Sequence, residues 1–204
     1  MASMKKDKEK GFRHDIIVTG FGGQGVIMAG RILGEAAVIG DHREGTFVQS
    51  YGPEARGGEA SAQVIISSSS IPYPYVRKPD ILVCMSQGGY DKYIGQLKED
   101  GILIIEEDVV TPGGFKGSHI FAIPATRMAE EMGRAMMANI IMVGFFTAVT
   151  GILSHDAAKS AVLRAVPKGT EEKNIQALNK GHEFGLATIK SSQKKAAGRA
   201  VVAG

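Results

Sequence analysis

The chain has 204 residues, 44% of them hydrophobic and 22% charged, enough to bury the core of one α/β domain. Its formal net charge of +3 arises at the ends: nine basic and two acidic residues lie before His14 or after Ile189, leaving residues 14–189 at −4. With no Trp and 6% aromatics it lacks the stacking surface of a nucleic-acid binder, and one cysteine, Cys84, excludes an intrachain disulfide or a cluster ligated by this chain alone.

Residues 1–12 read as a basic, flexible amino-terminal tail, 13–189 as a single domain and 190–204 as a second flexible tail. MASMKKDKEK has no apolar stretch of the signal-peptide kind, and the most apolar later segment, Asn139 to Thr150, is too short to cross a bilayer. A cytoplasmic location, with no membrane or nucleic-acid partner, is the expectation.

In chain order, Ile16–Thr19 predicts a first buried strand and Val26–Ile39 a helix stopped by Gly40. Gly45–Ser50 predicts a second strand and Ser61–Ser67 a third. Pro72, Pro74 and Pro79 mark an irregular connection. Ile81–Met85 reads as a strand, Tyr90–Glu99 as a helix weakened by Gly95, and Gly101–Glu106 and His119–Pro124 as two more strands. Helices follow at Ala125–Ala138, Asn139–Thr150, Asp156–Ala165 and Glu171–Lys190. Apolar strands separated by helices predict an α/β, Rossmann-like fold with a largely parallel sheet, flanking helices and a helical carboxyl-terminal part.

Gly20, Gly22, Gly23, Gln24 and Gly25 follow the first strand, with glycines 20, 22 and 25 in G-x-G-x-x-G spacing. Glycine lets backbone N–H groups approach an anion, and the helix that follows contributes a partial positive charge. A nicotinamide or flavin site also needs an acidic residue ending the second strand, for the ribose hydroxyls. That strand ends in Gln49-Ser50, while Asp41 and Glu44 come too early. A phosphate-bearing ligand of another kind, a docked partner chain, or close strand–helix packing alone remain as readings of the loop. A second glycine cluster, Tyr51-Gly52-Pro53-Glu54-Ala55-Arg56-Gly57-Gly58, lies where open α/β sheets bind ligands, with Arg56 able to grip a carboxylate or phosphate, or to pair with Glu54 or Glu59.

GFGGQGVIMAGRILGEAA, QSYGPEARGGEASAQVIIS and KPDILVCMSQGGYDKY, in that order, resemble the gamma subunit of 2-oxoacid:ferredoxin oxidoreductases, from about residue 13 to about 187. The second cluster is most similar to the 2-oxoglutarate enzymes, with branched-chain 2-oxoacid and pyruvate enzymes, and an NAD-binding Rossmann protein, as alternatives. The resemblance implies a subunit inactive alone. Its partners would be alpha and beta subunits, a ferredoxin-like delta subunit and ferredoxin, with thiamine diphosphate, Mg²⁺ and [4Fe–4S] clusters on other chains. It implies decarboxylation of a 2-oxoacid, electron transfer to ferredoxin and acyl transfer to coenzyme A. On that view Gly20–Gly25 is a candidate loop for coenzyme A phosphates, and Tyr51, Gly52, Pro53, Glu54, Arg56, Gly57 and Gly58 face the active site or partner.

No catalytic residue and no metal site stands out in the chain itself. His14, His42, His119, His155 and His182 are scattered near element ends and read as surface or packing residues. Glu106-Glu107-Asp108 reads as a solvated strand end. Met128, Met132, Met136, Met137 and Met142 read as core or as an adaptable interface.

Overall fold

The computed structural model describes residues 11–52, 58–113, 115, 117 and 119–202, with side chains as far as Lys194. Strands β1 (Arg13–Phe21), β2 (Glu44–Tyr51), β3 (Glu59–Ser67), β4 (Ile81–Cys84), β5 (Ile102–Glu106) and β6 (Ile120–Ile123) form one sheet ordered β2-β3-β1-β4-β5-β6. The β1–β4, β4–β5 and β5–β6 pairs are parallel, while β3 runs antiparallel to both neighbours. The sheet is therefore mostly parallel, as the sequence predicts, with one strand reversed. The link between β2 and β3 is too short for a parallel crossover, which takes a dozen residues or more. The chain turns straight back, and β3 inserts between β2 and β1.

Alternation along the strands divides the core in two. Ile16, Val18, Val64, Val83 and Ile104 point to one face, against helices α1 (Val26–Glu35), α3 (Ala125–Glu131), α4 (Ala138–Thr150), α5 (His155–Ala165) and α6 (Glu171–Val202). Ile17, Ile65, Leu82 and Leu103 point to the other, covered by α2 (Gln87–Tyr93) and by Val76 and Val110 from long connections. Helix α4 is buried along most of its length, and Phe145 and Phe146 are among the largest fully buried side chains.

Three departures from the expected helices bear on the site. Helix α2 starts at Gln87 rather than Tyr90, because the Ser86 hydroxyl caps it by accepting from Gly89 N–H at 3.1 Å; it gives way to a 3₁₀ turn at Ile94–Gln96, around Gly95. The predicted helix over 125–138 breaks after Glu131. Gly133 takes a left-handed φ of 79°, Arg134 is extended, and a 3₁₀ turn, Ala135–Met137, leads into α4. Helix α6 continues past Lys190 to Val202.

Candidate functional site

The two glycine clusters meet at the carboxyl edge of the sheet. β1 ends at Phe21, which pairs with Glu59, and the Gly22 N–H donates to the Gly58 carbonyl at 2.7 Å. The Gly52 N–H donates to the Glu59 carbonyl at 2.6 Å, closing the β2–β3 end beside them. Gly22, Gly52 and Gly58 are thus brought together. Pro53, Glu54, Arg56 and Gly57, and the role expected of Arg56, lie outside the described residues. The Glu59 carboxylate pairs with Lys92 at 2.9 Å.

Each described position in the first loop has a physical reason. A Cβ on Gly20 would lie 2.5 Å from Gln24 Oε1 and 2.9 Å from Val26 Cγ2, so only glycine fits. Gln24 is an internal strut: its Oε1 accepts from Phe21 N–H at 2.6 Å and its Nε2 donates to the Met85 carbonyl at 2.9 Å, tying the ends of β1 and β4. Gly23, at φ 99°, is exposed, and its missing Cβ would meet nothing within 4 Å. Gly25, at φ 74°, opens α1, and a Cβ there would collide with Asn139, whose Nδ2 donates to the Gly25 carbonyl at 3.2 Å.

Helix α1 starts from a left-handed glycine, with no side-chain cap and no acidic residue in its first turn. β2 ends in Gln49, Ser50 and Tyr51, without a carboxylate for a ribose. Asp41 is used elsewhere, accepting from Ser154 N–H at 2.9 Å and Ser154 Oγ at 2.6 Å to fix the start of α5.

Beside the loop opens a cavity of about 550 Å³, a volume in the range of small-molecule sites. Gly23, Gly25 and Met28 form one wall, the turn around Arg134 and Met136 a second, and Lys173 with neighbouring residues of α6 a third. Arg134 escapes sequence reading because the break at Gly133 falls within an apparently continuous helical pattern, and Lys173 because nothing distinguishes it among the charged residues that open α6; Met136, read as core or adaptable interface, is exposed rather than core. Around the edge, Phe21, Tyr51 and Met136 are exposed apolar or aromatic groups, Met136 at 85%.

Two other expectations are corrected. Glu106 is not solvated but 1% exposed: its Oε2 accepts from Thr126 N–H at 3.0 Å and Thr126 Oγ1 at 3.2 Å, while Oε1 is buried without a partner. Burial pushes its carboxyl above the usual range, partly offset by hydrogen bonds from Thr126 and Asp108. His155 and His182 are not scattered either, their ring centroids lying 4.2 Å apart between α5 and α6. Of the methionines, Met128, Met137 and Met142 are buried core.

Residues 15–184 match the family model described as pyruvate ferredoxin/flavodoxin oxidoreductase. The 2-oxoglutarate synthase subunit KorC of Methanocaldococcus jannaschii is 48% identical over 183 residues, covering 88% of this chain and 97% of the relative. The chain belongs to the pyruvate ferredoxin/flavodoxin oxidoreductase family. A crystal structure of the keto/oxoacid ferredoxin oxidoreductase gamma subunit from Geobacter sulfurreducens PCA superposes with a TM-score of 0.73 at 39% identity, covering 85% of this chain and 99% of that one. The fold recurs in a 2-oxoglutarate:ferredoxin oxidoreductase from Magnetococcus marinus, solved with 2-oxoglutarate, coenzyme A and succinyl-CoA bound. There the TM-score is 0.75 at 21% identity, and the match spans 86% of this chain but 31% of that chain.

Family members serve thiamine diphosphate- and iron–sulfur-dependent complexes, and the relatives are single subunits of multi-subunit oxoacid oxidoreductases. The donors in this chain do not suit an iron–sulfur cluster. Its one cysteine is buried at the end of β4, where burial pushes the thiol pKa far up, and a cluster takes several thiolates. Among the described residues no group of three or more His, Cys, Asp or Glu is placed to hold a metal ion, and no helix is long and apolar enough to cross a membrane.

Proposed function

We propose that this chain is the gamma subunit of a 2-oxoglutarate:ferredoxin oxidoreductase and that its glycine-lined edge forms part of the path for coenzyme A. In that reaction the 2-oxoacid loses its carboxylate as CO₂, the electron pair passes to ferredoxin, and the acyl group joins the coenzyme A thiol. Thiamine diphosphate, Mg²⁺ and [4Fe–4S] clusters belong to the alpha, beta and ferredoxin-like delta partners in this reading, and the complex is cytoplasmic. The substrate assignment is carried by one observation: 48% identity to a 2-oxoglutarate synthase subunit along 97% of its length.

This chain's own contribution is binding and placement. The N–H groups at Gly23 and the uncapped start of α1 suit a pyrophosphate, and Gln24 and Asn139 hold the loop in shape without entering the chemistry. Phe21 and Tyr51 give the edge an apolar surface suited to the thiamine-bearing partners, beside the Gly52–Gly58 segment.

The test uses the complex purified anaerobically from its native host through a tag on this chain. Coenzyme A-dependent reduction of a viologen dye is measured with 2-oxoglutarate, pyruvate and 2-oxoisovalerate. Activity with 2-oxoglutarate, and co-purifying thiamine diphosphate and iron, is expected; preference for another acid overturns the substrate assignment. Gly23→Val and Arg56→Ala are expected to raise the KM for coenzyme A. Unchanged values in an intact complex rule out the loops as its path.

A further inference from the structure

We infer that Arg134 and Lys173 form a site for the 3′-phosphate of coenzyme A and make this chain select coenzyme A over its dephospho form. This rests on reading the neighbouring glycine loop as the coenzyme A phosphate loop, and adds to it a second, separate anion contact.

The cavity carries the inference. Its wall includes Gly23 and Gly25 on one side and both cations, Arg134 and Lys173, on others, and none of the described residues lining it carries a carboxylate. Neither cation makes an ion pair with a described residue, although seven ion pairs are formed among those residues. Both are exposed, so neither charge is spent on holding the fold together. The remaining surface is largely apolar, from Met28, Met136, Ile140 and Val166. Two positive charges facing an apolar chamber, with an uncapped helix start beside it, suit a ligand bearing an apolar or aromatic body and more than one anionic group.

Coenzyme A has that chemistry: an adenine, a pyrophosphate and a ribose 3′-phosphate. The glycine loop takes the pyrophosphate through backbone N–H groups. Arg134, projecting from the extended residue after Gly133, and Lys173, on the first turn of α6, take the 3′-phosphate. Adenine lies against Met28 and Met136, whose flexible thioethers suit a flat ring.

The experiment compares Michaelis constants for coenzyme A and dephospho-coenzyme A in the purified complex. Arg134→Ala/Lys173→Ala is expected to raise the constant for coenzyme A about tenfold, the order expected when charge-assisted contacts to a phosphate are lost. The constant for the dephospho form should not move. Equal change for both compounds, or no change for either, overturns the inference. Gly23→Val separates it from the loop reading: it should raise both constants. If it does and the double variant shows no selectivity, only the assignment of Arg134 and Lys173 falls. If Gly23→Val alters neither constant, the loop reading falls, and selectivity lost in the double variant would still support the cation site. A second measurement needs no variant. Adenosine 3′,5′-bisphosphate should compete with coenzyme A better than adenosine 5′-monophosphate does, and equal inhibition overturns the inference.

Discussion

Glu106 and His182 give the fold opposite responses to pH. Glu106 has its carboxyl pushed up by burial, so the folded chain binds its proton more tightly than the unfolded chain. Its contribution is complete below the ordinary carboxyl pKa of about 4.5 and is lost as pH rises through the higher folded value. His182 is lowered, chiefly by burial and then by His155. Because the Thr147 hydroxyl donates to the Gly144 carbonyl, His182 Nδ1–H donates to Thr147, and burial disfavours a second proton on the ring. Its contribution is present above the ordinary histidine pKa of 6.5 and is lost as pH falls through the lower folded value. We expect Glu106→Gln to flatten the decline of melting temperature on the alkaline side and to melt higher than wild type at pH 8. His182→Gln should flatten the acid-side decline. Parallel shifts at every pH would contradict both assignments. The Glu106-Glu107-Asp108 run gave no sign that its first member is buried, because the group covering it is the start of α3, reached only after β6.

Among the elements, the contact between α4 and α6 is the tightest. A Cβ on Gly144 would collide with the Leu178 carbonyl, and one on Gly181 with the Ile141 carbonyl, so backbone lies directly against backbone. Gly181→Val should cost about 3 kcal/mol or more, since backbone cannot move aside as a side chain can. Phe145→Ala, removing a ring from the same core, should cost about 3–5 kcal/mol. Denaturant titration checks both, and a loss below 1 kcal/mol for Gly181→Val would show that the helices separate easily. The strands were legible in sequence to within a few residues because Ile16–Val18, Ile81–Val83 and Leu103–Ile105 are compact apolar runs. The broken helix was not. Ala125 to Ala138 keeps helical spacing across Gly133, and one glycine inside a helical pattern does not reveal a left-handed stop.

For the whole molecule, the α/β class and the mostly parallel sheet followed from alternating strands and helices, whereas the reversed β3 did not. Its sequence looks like any buried strand; the shortness of the connection before it dictates its direction. That reversal brings Gly58 to Gly22, and so joins the two glycine clusters that the sequence shows as separate motifs. At that edge Phe21 and Tyr51 are exposed at the ends of β1 and β2, and Met136 is exposed at the cavity lined by Gly23 and Gly25, apolar groups of the kind that partner chains cover. In hydrogen–deuterium exchange, residues 20–28 and 133–137 should exchange more slowly in the assembled complex than in the isolated chain. Equal rates would place the interface elsewhere.

The cavity also has a history during synthesis. Its glycine wall is complete once β3 has returned to β1, but its other walls come from Arg134 to Ile140 and from Val166 to Asn174. A growing polypeptide halted before Val166 therefore carries the anion-friendly turn with one side of its chamber still missing. On the function proposed above, competence to hold a ligand would arrive late on the ribosome, after the sheet, and only when the last helix has closed over Gly144.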